Sequence, residues 1–190
     1  MRRRAIAVVA VVVLTAAAVG GAWSPGVSRP RPADAPAAEF SAGRAMDLLE
    51  RIAARPRPIG SPAATAARRV IVAELVRIGL VPEVQAAEVA SARNDRVGGT
   101  VHNVVARLPG VGGGRSVLLV AHYDSVPVSP GAADDGTGVV ALLETARALR
   151  AAGPLRNDVV FLFTDGEEKG MLGAHAFLLE HPYAYRTGVV

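Results

Sequence analysis

The side chains best equipped for chemistry fall in three short stretches: Ala121-His122-Tyr123-Asp124, Gly131-Ala132-Ala133-Asp134-Asp135-Gly136-Thr137-Gly138, and Thr164-Asp165-Gly166-Glu167-Glu168. Imidazole nitrogen and carboxylate oxygen are ligands that suit zinc. The first and third stretches each follow an apolar, strand-like run, Val117 to Val120 and Val159 to Phe163, and the second leads into a helical pattern. In α/β sheets the loops at the carboxyl ends of strands meet in one crevice, so groups far apart in sequence converge there. A metal held in this way supports hydrolysis by a metal-activated water. Each stretch taken alone has a plainer explanation. A single His after a buried strand is usually a satisfied core residue, and Asp134-Asp135 or Glu167-Glu168 would serve as helix-start carboxylates, favoured by free amides and the helix dipole. Capping accounts for the carboxylates one at a time but leaves the His122-x-Asp124 pair at a neighbouring strand end unexplained.

The elements that must position these groups are readable in outline. A helix is predicted from Ser41 to Ala54, with Ala45, Met46, Leu48, Leu49 and Ile52 at helical spacing and Ser41 as cap. A second fits Pro62 to Ile78, with Ser61 as N-cap, Pro62 in the first turn and Gly79 just past the end. Arg55-Pro56-Arg57-Pro58-Ile59-Gly60-Ser61 between them reads as a loop. Val81 to Val89 and Val101 to Leu108 read as strands, and Ser116 to Ala121 as a strand buried on both faces. Gly138 to Ala152 is predicted helical, Val159 to Phe163 is a further buried strand, and Met171 to Leu179 begins another helix. Strands alternating with helices imply a three-layer α/β/α domain around a largely parallel central sheet.

Composition narrows the class. A chain of 190 residues, 51% hydrophobic and 20% charged, is sized and composed for one globular domain. The formal charge of +4 comes from scattered arginines, and with aromatics at 4% no basic, aromatic-interleaved surface for nucleic acid is expected. With no cysteine, disulfides and thiolate metal sites are excluded together. At the N-terminus, Arg2-Arg3-Arg4 precedes an uncharged apolar run from Ala5 to Ala22. Residues 1–23 therefore read as a targeting segment, either an uncleaved membrane anchor or a signal peptide cut before Trp23, with the remainder extracytoplasmic. Residues 24–38, rich in Pro and Ala, read as a semi-rigid linker, and the folded domain is expected over 39–190.

From about Val101 to the last residue, and more weakly back to Glu39, the chain resembles the M28 family of zinc aminopeptidase-like peptidases. The family's motifs stand here as His122-Tyr123-Asp124, Gly131 to Gly138, and Glu167-Glu168-Lys169-Gly170-Met171-Leu172-Gly173. His-Tyr-Asp-Ser-Val, together with the apolar N-terminus, is most similar to the membrane-associated branch. M20 peptidases carry Lys-Gly after the bridging Asp, whereas Asp135-Gly136 stands here. The resemblance implies a zinc exopeptidase-like fold and a site for two zinc ions. It implies that His122 ligates one zinc, Asp134 bridges both and Glu168 ligates the other. Asp124 would hold the His122 imidazole, Glu167 would be the general base, and Asp135 would support the loop. The implied substrate is a peptide or protein. The family adds an acidic ligand after the next strand and a later His, and Thr187-Gly188-Val189-Val190 reads as the opening of that strand, so an N-terminal fragment is expected. His175 and His181 read as structural. A glutaminyl-cyclase-like acyltransferase using one zinc, or a non-catalytic membrane-anchored domain, are the alternatives.

Overall fold

Two serines start the helices that lie under the candidate site. Ser41 Oγ accepts from Arg44 N at 3.1 Å and opens α2 (Ala42–Ile52), whose Ala45, Leu49 and Ile52 are buried. Ser61 Oγ accepts from Ala64 N at 3.0 Å and opens α3 (Pro62–Arg77), which ends as predicted before Gly79 at φ 81°. These side chains satisfy amides that no helical carbonyl can reach.

The computed structural model describes residues 2–22, 29–91, 98–185 and 187–188. They form two compact units, residues 1–30 and 31–190. The first holds α1 (Arg2–Ala22), whose described side chains run from Val8 to Gly21. Among the described residues, no helix is long and apolar enough to cross a membrane. Trp23 and the first residues of the expected linker lie outside the described residues, as do Val189 and Val190 of the expected last strand.

In the second unit, β1 (Pro82–Ala90), β2 (Gly98–Leu108), β3 (Ser116–His122), β4 (Val159–Thr164) and β5 (Thr187–Gly188) form one sheet in the order β1-β2-β4-β3-β5. The expectation of a largely parallel sheet is corrected. β1 and β2 pair antiparallel from Pro82↔Ala106 to Ala90↔Gly98, and β2 pairs antiparallel with β4, while β3 is parallel to β4 and β5. Only residues 91–97 separate β1 from β2, fewer than the roughly dozen that a parallel crossover needs. Between β3 and β4, α4 (Thr137–Ala152) supplies such a crossover, and those strands are parallel.

β4 is the central strand and is buried along its whole length. Phe161 and Phe163 join Leu49, Ile71, Leu75, Val139 and Leu143 in the core beneath α2, α3 and α4. Val160 and Leu162 pack with Val105 and Phe177 under α5 (Leu172–Glu180) on the other face, which makes the third layer. β3 departs from the predicted two-sided burial, because Val120 is 49% exposed. α5 packs on β1 and β2, so its cover does not extend over Val120.

Candidate metal and catalytic site

β3 and β4 run parallel and end side by side, with His122 opposite Thr164, and Tyr123 N donates to Thr164 O at 2.9 Å just beyond. This pairing delivers the first and third chemical stretches to one edge. The second arrives through a turn at 132–136 in which Asp134 has φ −123° and ψ 97°, and the Asp134–Asp135 peptide is cis. Gly131 enters that turn at φ 59°, and a Cβ there would lie 2.5 Å from Asp134 O and 2.7 Å from Ser125 Cβ, so only glycine fits.

The three stretches meet at His122. Its Nε2 lies 3.1 Å from Asp134 Oδ1 and 3.9 Å from Glu167 Oε2, and its buried Nδ1 lies 3.4 Å from Asp124 Oδ1 without the alignment of a full hydrogen bond. Asp124 is fully buried, and its two oxygens accept from Glu167 N at 3.0 Å and Glu168 N at 3.2 Å. One carboxylate thereby ties the end of β3 to the turn after β4. Asp135 makes a similar tie on the other side, accepting from His122 N at 3.2 Å and from Gly138 N, in the first turn of α4, at 3.0 Å. Asp134 points outward, its side chain 80% exposed, and Glu167 is 39% exposed. Among the described residues, no three His, Asp or Glu side chains close around a single metal position.

The electrostatics are lopsided toward negative charge. Burial disfavours the His122 imidazolium, yet the Asp124, Asp134 and Glu167 carboxylates outweigh it and push its pKa up to about 9. The Glu168 carboxyl is raised by partial burial and by Asp134, with His122 acting in the opposite sense. Asp165, buried behind the turn, is pushed up to about 6 by desolvation, despite the help of the Tyr123 hydroxyl and His102 N.

The candidate ligands and catalytic residues read from the sequence therefore gather at the ends of β3 and β4. His122, Asp124, Asp134 and Glu167 are in direct register, and Glu168 is within electrostatic reach of Asp134 and His122. His175 and His181 are engaged elsewhere, His175 Nδ1 with Ala90 O at 2.9 Å and His181 stacked on Phe177 at 4.8 Å. Sequence reading missed Arg57. Placed in a proline-flanked loop, it is fully buried and bonds the backbone around the site. A single Arg between prolines carries no signal of that kind.

Residues 103–190 match the model of peptidase family M28. Endoplasmic reticulum metallopeptidase 1 of Rattus norvegicus is 42% identical over 86 residues, 44% of this chain and 10% of that protein. The chain thus spans about a tenth of the length of this curated relative. Porphyromonas gingivalis glutaminyl cyclase superposes with a TM-score of 0.67 at 30% identity, covering 76% of this chain and 55% of the cyclase. A Zn-dependent exopeptidase from Parabacteroides distasonis superposes with a TM-score of 0.65 at 25% identity, covering 77% of this chain and 58% of that one. The matched segment contains β3, β4 and the acidic residues gathered around His122, and over this segment the chain is similar to peptidase family M28.

Proposed function

We propose that this protein is a zinc-dependent peptidase acting on peptide or protein substrates, with an exopeptidase of the aminopeptidase kind as the narrower reading. The observation that carries it is His122 Nε2 directed at Asp134 and Glu167 from the end of β3, with Asp124 behind it. The donors fit zinc: one imidazole whose Nδ1 faces a buried carboxylate, and outward carboxylates in excess of the nearby positive charge. His122, Asp134 and Glu168 would hold the metal, and a second ion, where the complete site takes one, would share the Asp134 carboxylate. Bound zinc supplies Lewis acidity to a carbonyl oxygen and to a water.

The chain's own residues divide the remaining work. Asp124, with Oδ1 3.4 Å from His122 Nδ1, would fix the tautomer with the proton on Nδ1 and leave the Nε2 lone pair for the metal. Through its bonds to Glu167 N and Glu168 N, Asp124 also holds the two glutamates at a set distance from the imidazole. Glu167, 39% exposed and 3.9 Å from His122 Nε2, takes the proton of the attacking water and returns it to the leaving amine. Asp135, engaged by His122 N and Gly138 N, supports the turn and leaves Asp134 free.

The same proposal assigns residues 1–23 to targeting, as a signal-anchor or a cleaved signal peptide, 24–38 to a linker and 39–190 to the peptidase domain, on the extracytoplasmic side. The basic flank of α1 and the endoplasmic reticulum relative support that placement.

Glu167→Gln tests the catalytic assignment. Hydrolysis of unblocked peptides should fall by roughly 10²- to 10⁴-fold with zinc content unchanged, as for loss of a general base. Retained activity would remove Glu167 from its role, and an inactive parent protein would favour the non-catalytic alternative. The structural likeness to a glutaminyl cyclase supplies a second reading. Peptides with N-terminal glutamine separate the two, because cyclisation releases ammonia and leaves every peptide bond intact.

A further inference from the structure

Arg57 lies outside the family-matched segment, yet it is buried to 0% exposure beneath the candidate site. We propose that Arg57 is a positioning residue for the zinc-binding edge, clamping the end of β3 to the turn that carries Asp134. This inference rests on the zinc peptidase reading above.

The geometry is that of a clamp with two jaws. On the β3 side, Arg57 Nε donates to Tyr123 O at 2.5 Å, Arg57 N donates to Ser125 Oγ at 3.0 Å, and Ser125 N donates back to Arg57 O at 3.2 Å. On the turn side, Nη2 donates to Gly131 O at 2.9 Å and Nη1 donates to Pro130 O. His122 and Asp124 flank the first jaw in sequence, and Asp134 and Asp135 follow the second. The connection between the jaws, residues 126–129, has Val128 at 92% exposure and is held at Ser129, whose O accepts from Ser125 Oγ at 2.9 Å and whose Oγ accepts from Gly131 N at 3.2 Å; the guanidinium adds a direct tie between the two ends. A planar guanidinium with donors in a fixed fork sets their separation in a way that a flexible ammonium does not.

The charge placement favours a role beyond packing. The donors of the guanidinium that are described go to carbonyl oxygens, and the carboxylates that act on it are Asp124 and Asp135. A buried cation bonded to neutral carbonyls is costly unless its field stabilises something nearby. Here it falls on the two carboxylates that orient His122, Glu167 and Glu168.

The test measures zinc affinity of the full chain by competition with a chromophoric chelator, alongside the thermal midpoint of the zinc-free protein. Arg57→Lys keeps the charge and loses the fork. It should weaken zinc binding by roughly 10- to 100-fold, the size seen when groups that orient metal ligands are removed. Arg147→Met, which breaks a buried ion pair away from the site, should lower the midpoint but leave the affinity of the folded protein within about twofold. Arg57→Lys with wild-type zinc affinity would overturn the proposal. Should Arg57→Lys fail to fold, Ser125→Ala decides, since it removes one hydroxyl of the clamp and leaves the guanidinium in place. A several-fold weaker affinity supports the clamp, and an unchanged one overturns it. His122→Ala separates this from failure of the underlying reading: if it binds zinc as the wild type does, the metal site itself is wrong.

Discussion

Two clusters of charge border α4 and are built in opposite ways. At the start of α2, Glu144 is 2% exposed, and its Oε1 accepts from Ser41 N at 2.7 Å, Arg44 Nε at 3.1 Å and Arg147 Nη2 at 2.7 Å. Its Oε2 accepts from Arg147 Nε at 2.7 Å. The remaining guanidinium donors go to backbone carbonyls of the Pro-rich stretch, Ala33, Ala35 and Glu39 among them. At the ends of β3 and β4, the carboxylates of Asp124, Asp134 and Glu167 lie within 4 Å of one imidazole, His122 Nδ1 lacks a full hydrogen bond, and Asp134 is left 80% exposed. The first cluster is satisfied and holds the chain together. The second is left with carboxylates in excess around an imidazole whose pKa is pushed up to about 9, the imbalance on which the proposed metal site rests.

The sharpest way to break the contrast is Asp134→Asn. Zinc binding and hydrolysis should fall together, the latter by at least the roughly 10²- to 10⁴-fold expected for Glu167→Gln. The zinc-free variant should nonetheless melt within about 4 °C of wild type, because an exposed side chain is altered and one repulsive charge is removed. A collapse in the zinc-free midpoint would show the second cluster to be structural after all.

Glu144→Ala should do the reverse. Removing the shared carboxylate leaves the partly buried Arg44 and Arg147 without their counter-ion, a loss of about 2–4 kcal/mol, while zinc affinity and turnover per folded molecule stay unchanged. The pH dependence follows from the same contacts. Burial alone would raise the Glu144 pKa, but Arg147, Ser41 N and Arg44 hold it below the ordinary value of 4.5. A depressed carboxylate stabilises the fold above its unfolded pKa and loses that contribution as the pH falls through its folded one. Acid unfolding of the wild type below about pH 4.5 should therefore be blunted in Glu144→Ala. Parallel acid curves for the two proteins would count against this account.

Much of this was legible from residue patterns for physical reasons. Val159 to Phe163 is apolar without interruption because β4 is covered on both faces, and Ser41 and Ser61 stand where helices need a side-chain acceptor. His122, Asp134 and Glu167 could be grouped because parallel strands joined by a helix end at the same edge. The strand directions of the hairpin were not legible from the apolar runs, which have the same pattern in either direction, although the shortness of 91–97 held the answer. Nor was the exposure of Val120, which depends on where α5 lies. Arg57 could not be found at all: its burial arises only when the loop closes over β3, and in sequence Arg55 and Arg57 look alike.

Asp165 extends the contrast to a smaller energy. It is 1% exposed, its Oδ1 has no hydrogen-bond partner, and burial pushes its pKa from 3.8 up to about 6. A carboxyl whose folded pKa lies above its unfolded one stabilises the fold while protonated and loses that contribution as the pH rises through the folded value. The window thus runs from about pH 4 to pH 6, and at neutral pH the ionised form costs about 3 kcal/mol relative to an unperturbed Asp. Asp165→Asn retains an oxygen for His102 N at the position of Oδ2 and carries no charge. The variant should be more stable than wild type at pH 7.5 by roughly 1–3 kcal/mol, with the advantage shrinking as the pH is lowered toward 4. The Glu144 contribution is common to both proteins and cancels in the difference. Urea denaturation of the pair at the two ends of the range reads this directly, and a gap that does not change with pH would mean that Asp165 is neutral throughout or that its charge is solvated in the folded protein.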